Sequence, residues 1–274
     1  MNEIFDGKKE ALILKDQLRD YFSKLSIVPT LGIIQVGDDR LSNVFINEKI
    51  KFANYIGVNT KLEKLPSGSS NLGSILDKFN KDKYINAFLL QLPLVGIESE
   101  KLYLNKILPS KDIDCLTDTN YSKVLFGDYI VAPGVFLAFK YVFNKLNIPK
   151  DFNILVVGAG FVGRLIVNYL ISEKFNITIV DKFVLDISKY SKVADVIIFT
   201  AGVSSLISKD IVKNGVYCIN IGAAADFSGN ILGGISDDVT AVSKFFVPTI
   251  GGIGPLTVAM LFSNLRVMVN ENAK

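Results

Sequence analysis

The 274-residue chain contains no histidine, the side chain that most often transfers protons near neutral pH. Any acid–base chemistry must therefore use lysine, tyrosine or a carboxylate. Cysteine is scarce as well: Cys115 and Cys218 alone exclude a disulfide framework, and no Cys/His cluster indicates zinc. Two free cysteines fit a reducing compartment, so we expect a cytoplasmic protein.

Long apolar runs and strong charge are also lacking. The N-terminal MNEIFDGKKE is polar and has no signal-peptide core, and no uninterrupted apolar run reaches the roughly 20 residues of a membrane helix. The formal net charge is only +3, without a long basic run. We therefore expect neither a membrane nor a nucleic acid as a partner. The 49% of hydrophobic residues predicts a globular protein with a large core.

Strand-like and helix-like runs alternate in the first half of the chain. The apolar runs over 30–36 (TLGIIQV) and 86–94 (NAFLLQLPL) predict buried parallel strands, and helices are predicted over 42–55 and 70–79. This pattern predicts a small parallel sheet of the β-α-β type. A long apolar helix is predicted over 134–147, and the chain is then broken by a proline, which marks a candidate boundary.

The same alternation continues in the second half. Strands are predicted over 153–160, 176–181, 194–202 and 216–222, with a helix over 162–172. This is typical of a doubly wound parallel sheet of the Rossmann type. The predicted fold class is therefore α/β: a three-layer N-terminal α/β domain followed by a Rossmann-type domain.

A glycine-rich loop from Gly158 to Gly163 (GAGFVG) follows a predicted strand and begins a helix. Glycines at these positions allow a tight turn, close approach of a pyrophosphate and close helix–strand packing. Asp181 ends the next strand, where a carboxylate binds the ribose of NAD and repels the extra phosphate of NADP. Lys182 beside it would weaken that preference. The alternative is a glycine turn without a ligand.

Several polar residues accompany the apolar strands of the first half. Phe45 and Lys49 are four residues apart and share one helix face, and a lysine there is suited to transfer protons. Gln91 ends a strand at the sheet edge where ligands bind. Asp112 and Asp114 are acidic loop residues. The alternative for Lys49 is that it is simply a solvated side chain, because the sequence has 30 lysines and arginines in all. The alternative for the two aspartates is that they only form a turn.

Four segments together resemble one family: VGDDRLSNVFINEKIK, LLQLPL, LPSKDIDC and PTIGGIGPLTVAML. In order and spacing they are similar to the bifunctional methylenetetrahydrofolate dehydrogenase/methenyltetrahydrofolate cyclohydrolase family, from about Asp6 onward. The resemblance implies a folate-binding catalytic domain over 1–133, completed by a C-terminal helix over 255–274, and an NAD(P)-binding Rossmann domain over 134–254. It also implies a folate substrate, oxidation of its methylene form by NAD or NADP, hydrolysis of the methenyl product, and a homodimer.

The resemblance also assigns roles to individual residues. Lys49 matches the catalytic lysine, Gln91 matches its partner and Asp114 matches the aspartate that binds the pterin ring. The residues that would flank the folate are Phe45, Gly254 and Pro255. The residues that we predict to bind the cofactor are Gly158, Ala159, Gly160, Gly163, Asp181, Lys182, Gly202, Ala223 and Thr257.

The chain departs from the family pattern at several positions. Phe45 stands where tyrosine is usual, Cys115 where glycine is usual, and Gly160 where a polar residue is usual. The missing hydroxyl leaves open a dehydrogenase with weakened cyclohydrolase activity. The altered loops leave open a catalytically silent nucleotide-binding subunit, and the Rossmann pattern alone would also fit a dehydrogenase for another small substrate. The family default is NADP, whereas Asp181 favours NAD.

Overall fold

The computed structural model of the protein describes residues 3–225 and 231–271. Within them the chain divides into two compact units, and the chain passes between them within its first and last helices. We call residues 12–134 and 258–271 the lysine unit, and residues 3–11 and 135–257 the glycine-loop unit. The last three residues of the C-terminal helix predicted over 255–274 lie outside the described residues.

The chain begins with strand β1 (Glu3–Ile4) and helix α1 (Gly7–Phe22). The lysine unit then contains β2 (Thr30–Val36), α2 (Arg40–Ile56), β3 (Asn59–Leu65), α3 (Leu72–Lys81), β4 (Ala87–Gln91), α4 (Glu100–Leu104) and α5 (Asp118–Phe126). The two predicted strands and the two predicted helices are confirmed, within a few residues at their ends. β3 was not predicted.

The sheet of the lysine unit is parallel, in the order β3-β2-β4. Alternate residues of each strand point to opposite faces. Ile34 of β2 and Phe88 of β4 pack with Phe79 of α3 in one hydrophobic cluster. Gln35 and Gln91 therefore lie on the other face, where they meet side chains of α2.

Helix α2 carries Ser42, Asn43 and Lys49. Its first turn is capped by Asp39, whose carboxylate accepts a hydrogen bond from the Ser42 amide at 2.7 Å. It ends at Gly57, which adopts the left-handed conformation (φ 77°) that favours glycine. Near this end Phe52 stacks on Phe262 of the C-terminal helix, with ring centroids 5.0 Å apart. Both ends of α2 are therefore fixed by specific contacts.

The glycine-loop unit contains a six-stranded sheet. After β1 and the start of α1, the helices and strands of this unit are α6 (Gly134–Lys145), β5 (Asn153–Val157), α7 (Phe161–Ser172), β6 (Asn176–Val180), α8 (Ser188–Ser191), β7 (Val196–Phe199), β8 (Tyr217–Asn220), β9 (Ala223–Ala225), β10 (Ile231–Gly233), β11 (Phe245–Val247) and the start of α9 (Gly254–Glu271). The strand order β1-β11-β8-β7-β5-β6 is parallel throughout, which confirms the predicted Rossmann-type sheet. β9 and β10 form a separate antiparallel pair.

The N-terminal segment belongs to this unit because β1 pairs with β11. Beyond β1, Gly7 lies against the backbone of the loop that precedes α9. A Cβ atom at Gly7 would stand 1.8 Å from the carbonyl oxygen of Gly252, so only glycine fits there. The predicted boundary at residue 133 placed these residues in the other domain.

One helix within the described ranges is long and apolar enough to cross a membrane by length and composition, over Thr249–Glu271. However, 56% of its most apolar stretch is buried inside the protein, as in the core helix of a globular protein. The apolar tail that the sequence shows is therefore used for packing.

Candidate active site

Lys49 and Gln91 are brought together by α2 and β4. Lys49 Nζ donates a hydrogen bond to Gln91 Oε1 at 2.8 Å, although the two residues are 42 positions apart. Gln91 is the last residue of β4 and is buried, whereas Lys49 is half-buried. The pairing of these two side chains, which the resemblance implied, is present in the structure.

The amide of Gln91 is held in one orientation by a backbone carbonyl. Gln91 Nε2 donates to the carbonyl oxygen of Leu92 at 3.0 Å, and Ser42 Oγ donates to the same oxygen at 3.1 Å. With its nitrogen fixed there, Gln91 turns its oxygen toward Lys49. Ser42 lies seven residues before Lys49 and so shares its helix face. Ser42 was not among the predicted site residues, and its signal in the sequence is its spacing of seven residues from Lys49.

A second amide lies beside Gln91 in the sheet. Gln35 of β2 is in register with Gln91 and only 1% exposed, and its Nε2 donates to Asn43 Oδ1 at 2.9 Å. Asn43 Nδ2 in turn donates to Asp38 Oδ1 at 2.8 Å. This chain of amides ties the start of α2 to the sheet. Gln35 was not predicted either, and its signal in the sequence is a glutamine inside an apolar strand.

The environment of Lys49 alters its basicity in two opposing ways. Burial lowers the pKa of Lys49 from its usual value, because an ammonium group loses its hydration there. The carboxylate of Asp114 acts in the other direction and raises the pKa of Lys49 through its negative charge. Burial is the larger effect, so Lys49 exchanges protons closer to neutral pH than an exposed lysine does.

The two aspartates of the DID segment have different surroundings. Asp112 is buried and accepts hydrogen bonds from Leu116 N, Thr117 N, Thr117 Oγ1 and Asn120 Nδ2 at 2.7–3.2 Å. Burial raises the pKa of Asp112. Asp114 is half-buried and accepts a longer bond, 3.4 Å, from the amide of Gly134. Asp112 therefore forms the turn, and Asp114 is the carboxylate that remains for a ligand.

Phe45 and Cys115, two of the departures from the family pattern, differ in exposure: Phe45 is exposed and Cys115 is buried. The Phe45 side chain is 46% exposed one turn before Lys49, so a ring face is accessible to a ligand. Cys115 has a positive φ of 53°, a conformation that glycine adopts more easily. Burial raises the pKa of the Cys115 thiol, which keeps the thiol protonated and unreactive.

The glycine loop has the geometry that its sequence predicts. Gly158 has a φ of 103°, and a Cβ atom at Gly163 would stand 2.0 Å from the carbonyl oxygen of Gly158. Gly160 is exposed, caps α7 and has open space where a Cβ would be. The Thr200 hydroxyl, which follows β7, donates to this turn from outside: its oxygen lies 3.0 Å from both Val157 O and Gly158 O.

The remaining predicted cofactor residues lie along the same sheet. Asp181 is exposed directly after β6, and its Oδ1 accepts a hydrogen bond from the Lys182 amide at 2.8 Å. Gly202 follows β7 and Ala223 follows β8, so both lie at the carboxyl edge of the parallel strands. Thr257 differs, because its hydroxyl donates to Ile253 O at 3.1 Å within α9.

Gly254 and Pro255 are the first two residues of α9. Gly251, three residues before Gly254, has a positive φ of 79°. They belong to the glycine-loop unit, and Phe45 belongs to the lysine unit. Their predicted contact with a folate stays a prediction.

Two family models match this chain. The catalytic domain of tetrahydrofolate dehydrogenase/cyclohydrolase matches residues 5–114, and the NAD(P)-binding domain of the same enzymes matches residues 140–273. Relatives named bifunctional protein FolD include one from Mesoplasma florum, 32% identical with 98% of each chain covered, and one from Bacillus subtilis, 30% identical with 95% of each covered. The solved bifunctional FolD dehydrogenase/cyclohydrolase of Campylobacter jejuni superposes with a TM-score of 0.89 at 27% identity, covering 98% of this chain and 99% of that one.

The chain therefore belongs to the tetrahydrofolate dehydrogenase/cyclohydrolase family, and its glycine-loop unit is a nicotinamide cofactor domain.

The opposing influences on Lys49 can be measured without any turnover. We expect acetylation of Lys49 by acetic anhydride, followed by mass spectrometry, to reach half its maximal rate below the usual lysine pKa of about 10.4. In Asp114→Asn the midpoint should fall further, because the carboxylate that raises the pKa of Lys49 is gone.

Lys145 is the internal control, because Glu10 raises its pKa in the other unit. Its midpoint should be the same in both proteins. A Lys49 midpoint at or above the usual value, or one that rises in Asp114→Asn, would contradict the electrostatics described above.

Proposed function

We propose that the chain catalyses both reactions of its family. The first is the NAD(P)-dependent oxidation of 5,10-methylenetetrahydrofolate to 5,10-methenyltetrahydrofolate, and the second is the hydrolysis of that product to 10-formyltetrahydrofolate. The observation that carries this proposal is the hydrogen bond from Lys49 to Gln91, with the Gln91 amide oriented by the carbonyl that Ser42 also binds. A side chain that only covered the surface would not need such fixed geometry.

The lowered pKa of Lys49 suits both steps. Oxidation, for which a bound nicotinamide would supply the hydride acceptor, leaves a positive charge on the methenyl group, and a neutral Lys49 amine avoids repelling it. In hydrolysis the neutral Lys49 accepts a proton from water as the oxygen attacks the methenyl carbon. The resulting ammonium then gives a proton to N5 as its bond to carbon breaks. Gln91 keeps the Lys49 amine in place, and the negative charge of Asp114 stabilises the ammonium form of Lys49.

Asp114 and Phe45 are the residues that we propose for holding the folate. The Asp114 carboxylate can accept hydrogen bonds from the N–H groups of a pterin, and the amide of Gly134 restricts its orientation. The exposed ring of Phe45 offers an apolar face to an aromatic part of the substrate.

Replacing Lys49 tests this mechanism. Lys49→Met should reduce methenyltetrahydrofolate hydrolysis about 100-fold or more, the usual loss when a general acid–base is removed. Both activities can be followed by absorbance, with NAD and with NADP. The matched control is Lys51→Met, because Lys51 lies on the same helix but is exposed and paired with Glu48. It should keep both activities.

Two results would count against the proposal in different ways. No turnover of either folate with either cofactor would refute the reactions themselves. Full hydrolysis by Lys49→Met would leave the reactions in place and remove the role of the lysine.

We propose NAD as the preferred cofactor. Asp181 is exposed directly after β6, and the β6 and β5 ends are joined by a hydrogen bond from Gly158 N to Val180 O at 2.8 Å. Asp181 therefore directly follows the strand end that is bonded to the first glycine of the loop. There it would accept hydrogen bonds from a free ribose and repel a 2′-phosphate.

The preference should change when the carboxylate is removed. We expect Asp181→Ser to shift the kcat/KM ratio of NADP to NAD about tenfold or more toward NADP, which corresponds to about 1.4 kcal/mol. Asp151→Ser, at an exposed aspartate before β5, is the control and should leave the ratio unchanged. An unaltered chain that already prefers NADP would disprove the role of Asp181.

We also propose a homodimer formed along β6. β6 is the last strand in its sheet order, so one edge pairs with no described strand. Exposed apolar side chains lie on and around it: Ile171, Ile179, Phe183 and Leu185. An open edge with apolar neighbours is a surface that a second copy would cover.

Sedimentation measures this directly. We expect the chain to be a dimer at micromolar concentration and Ile179→Lys to be a monomer, because a buried lysine would oppose association. Ile27→Lys, at a residue that is 80% exposed in the lysine unit, should remain dimeric. A monomeric unaltered chain would rule the dimer out.

A further inference from the structure

Arg164 lies in the first turn of α7, directly after the third glycine of the loop. It is one of only four arginines among 30 basic residues, the others being Arg19, Arg40 and Arg266. Its Nε donates a hydrogen bond to the carbonyl oxygen of Ala159 at 2.8 Å. The guanidinium group is therefore held against the glycine loop.

A guanidinium carries five N–H donors in one plane, and the bond to Ala159 uses one of them. Arg164 is exposed, and it forms no ion pair with any carboxylate in residues 3–225 and 231–271. The side chain of Ala159 is a methyl group, so it supplies no negative charge to the guanidinium. A planar fork of donors is thus presented beside the loop without a charge that neutralises it.

We infer that Arg164 binds a phosphate group of the dinucleotide. This inference rests on the proposed function, because it deepens the cofactor site of that proposal. Two phosphates share the required chemistry: the pyrophosphate, which the start of α7 would receive, and the 2′-phosphate of NADP. Arginine is the side chain whose donors match two phosphate oxygens at once.

The position of Arg164 also gives it an effect opposite to that of Asp181. Asp181 repels a 2′-phosphate, whereas a guanidinium at the loop attracts one. Within residues 3–225 and 231–271 the Lys182 side chain forms no hydrogen bond with the loop, and its ammonium group lies over the Phe183 ring, 5.4 Å from the centroid. Arg164, by contrast, is fixed at the loop by its bond to Ala159, and it sets how strongly a phosphate is held there.

Calorimetric titration with two fragments of the cofactor separates the two phosphates. ADP has only the 5′-diphosphate, and adenosine 2′-monophosphate has only the 2′-phosphate. We expect Arg164→Met to raise the Kd of at least one fragment about tenfold, the effect of losing a charge-assisted hydrogen bond. The affected fragment identifies the phosphate. Arg164→Lys, which keeps the charge but not the fork, should recover only part of the affinity.

Arg266→Met is the matched control, because Arg266 lies over the Tyr21 ring in the lysine unit. It should bind both fragments as the unaltered chain does. Circular dichroism of each variant checks that α7 is intact.

The outcomes separate this inference from the proposed function. Unchanged affinity of Arg164→Met for both fragments, or an equal loss in Arg266→Met, overturns the role of Arg164 alone. An unaltered chain that binds neither fragment refutes the dinucleotide site, and Arg164 with it. No folate and no turnover enter the titration, so it remains decisive even if the chain fails the activity assays.

Discussion

The hydrogen bond between Lys49 and Gln91 depends on the packing of α2 against the sheet of the lysine unit. A half-buried amine loses much of its hydration, and an acceptor at 2.8 Å offsets part of that loss. Gln91 is suited to this because its amide is neutral and leaves the pKa of the lysine lowered by burial. A carboxylate in its place would stabilise the ammonium and raise that pKa. Gln91 therefore positions the lysine without making it a permanent cation.

Several neighbouring contacts maintain this arrangement. Parallel strands bring the ends of β2 and β4 to one edge, where Gln35 and Gln91 are in register. The loop of Asp114 is fixed from a distant part of the chain, because Asn264 of α9 donates to Ile113 O at 2.9 Å and to Ala132 O at 2.7 Å. Residues 258–271 of α9 thus belong to the unit that contains the lysine. Lys49 and Asp114 are thus each positioned by a contact with another element.

The sequence predicted the buried strands well because they are continuous apolar runs. It did not reveal β3, whose residues NTKLEKL are largely polar, or the two-residue β1, which exists only through its pairing with β11. Within the site, spacing suggested Lys49 and Gln91 separately but could not show that they meet. Asp112 and Asp114 are the same residue type in one short segment, so the sequence alone does not distinguish their roles. Only the four hydrogen bonds to Asp112 show that it forms the turn.

Cys115 shows why the path of the loop at Asp114 matters more than the residue that follows it. A non-glycine residue with positive φ costs on the order of 1 kcal/mol, and Cys115 keeps a φ of 53° although its side chain is buried and forms no disulfide. Relaxing this residue to a negative φ would redirect the backbone next to Asp114. That carboxylate would then lose its place beside the amide of Gly134 and its influence on Lys49. The backbone strain at Cys115 is therefore tolerated because it keeps in place the Asp114 carboxylate, which counteracts the lowering of the Lys49 pKa by burial. The positive φ at this position also explains why glycine is the usual residue there.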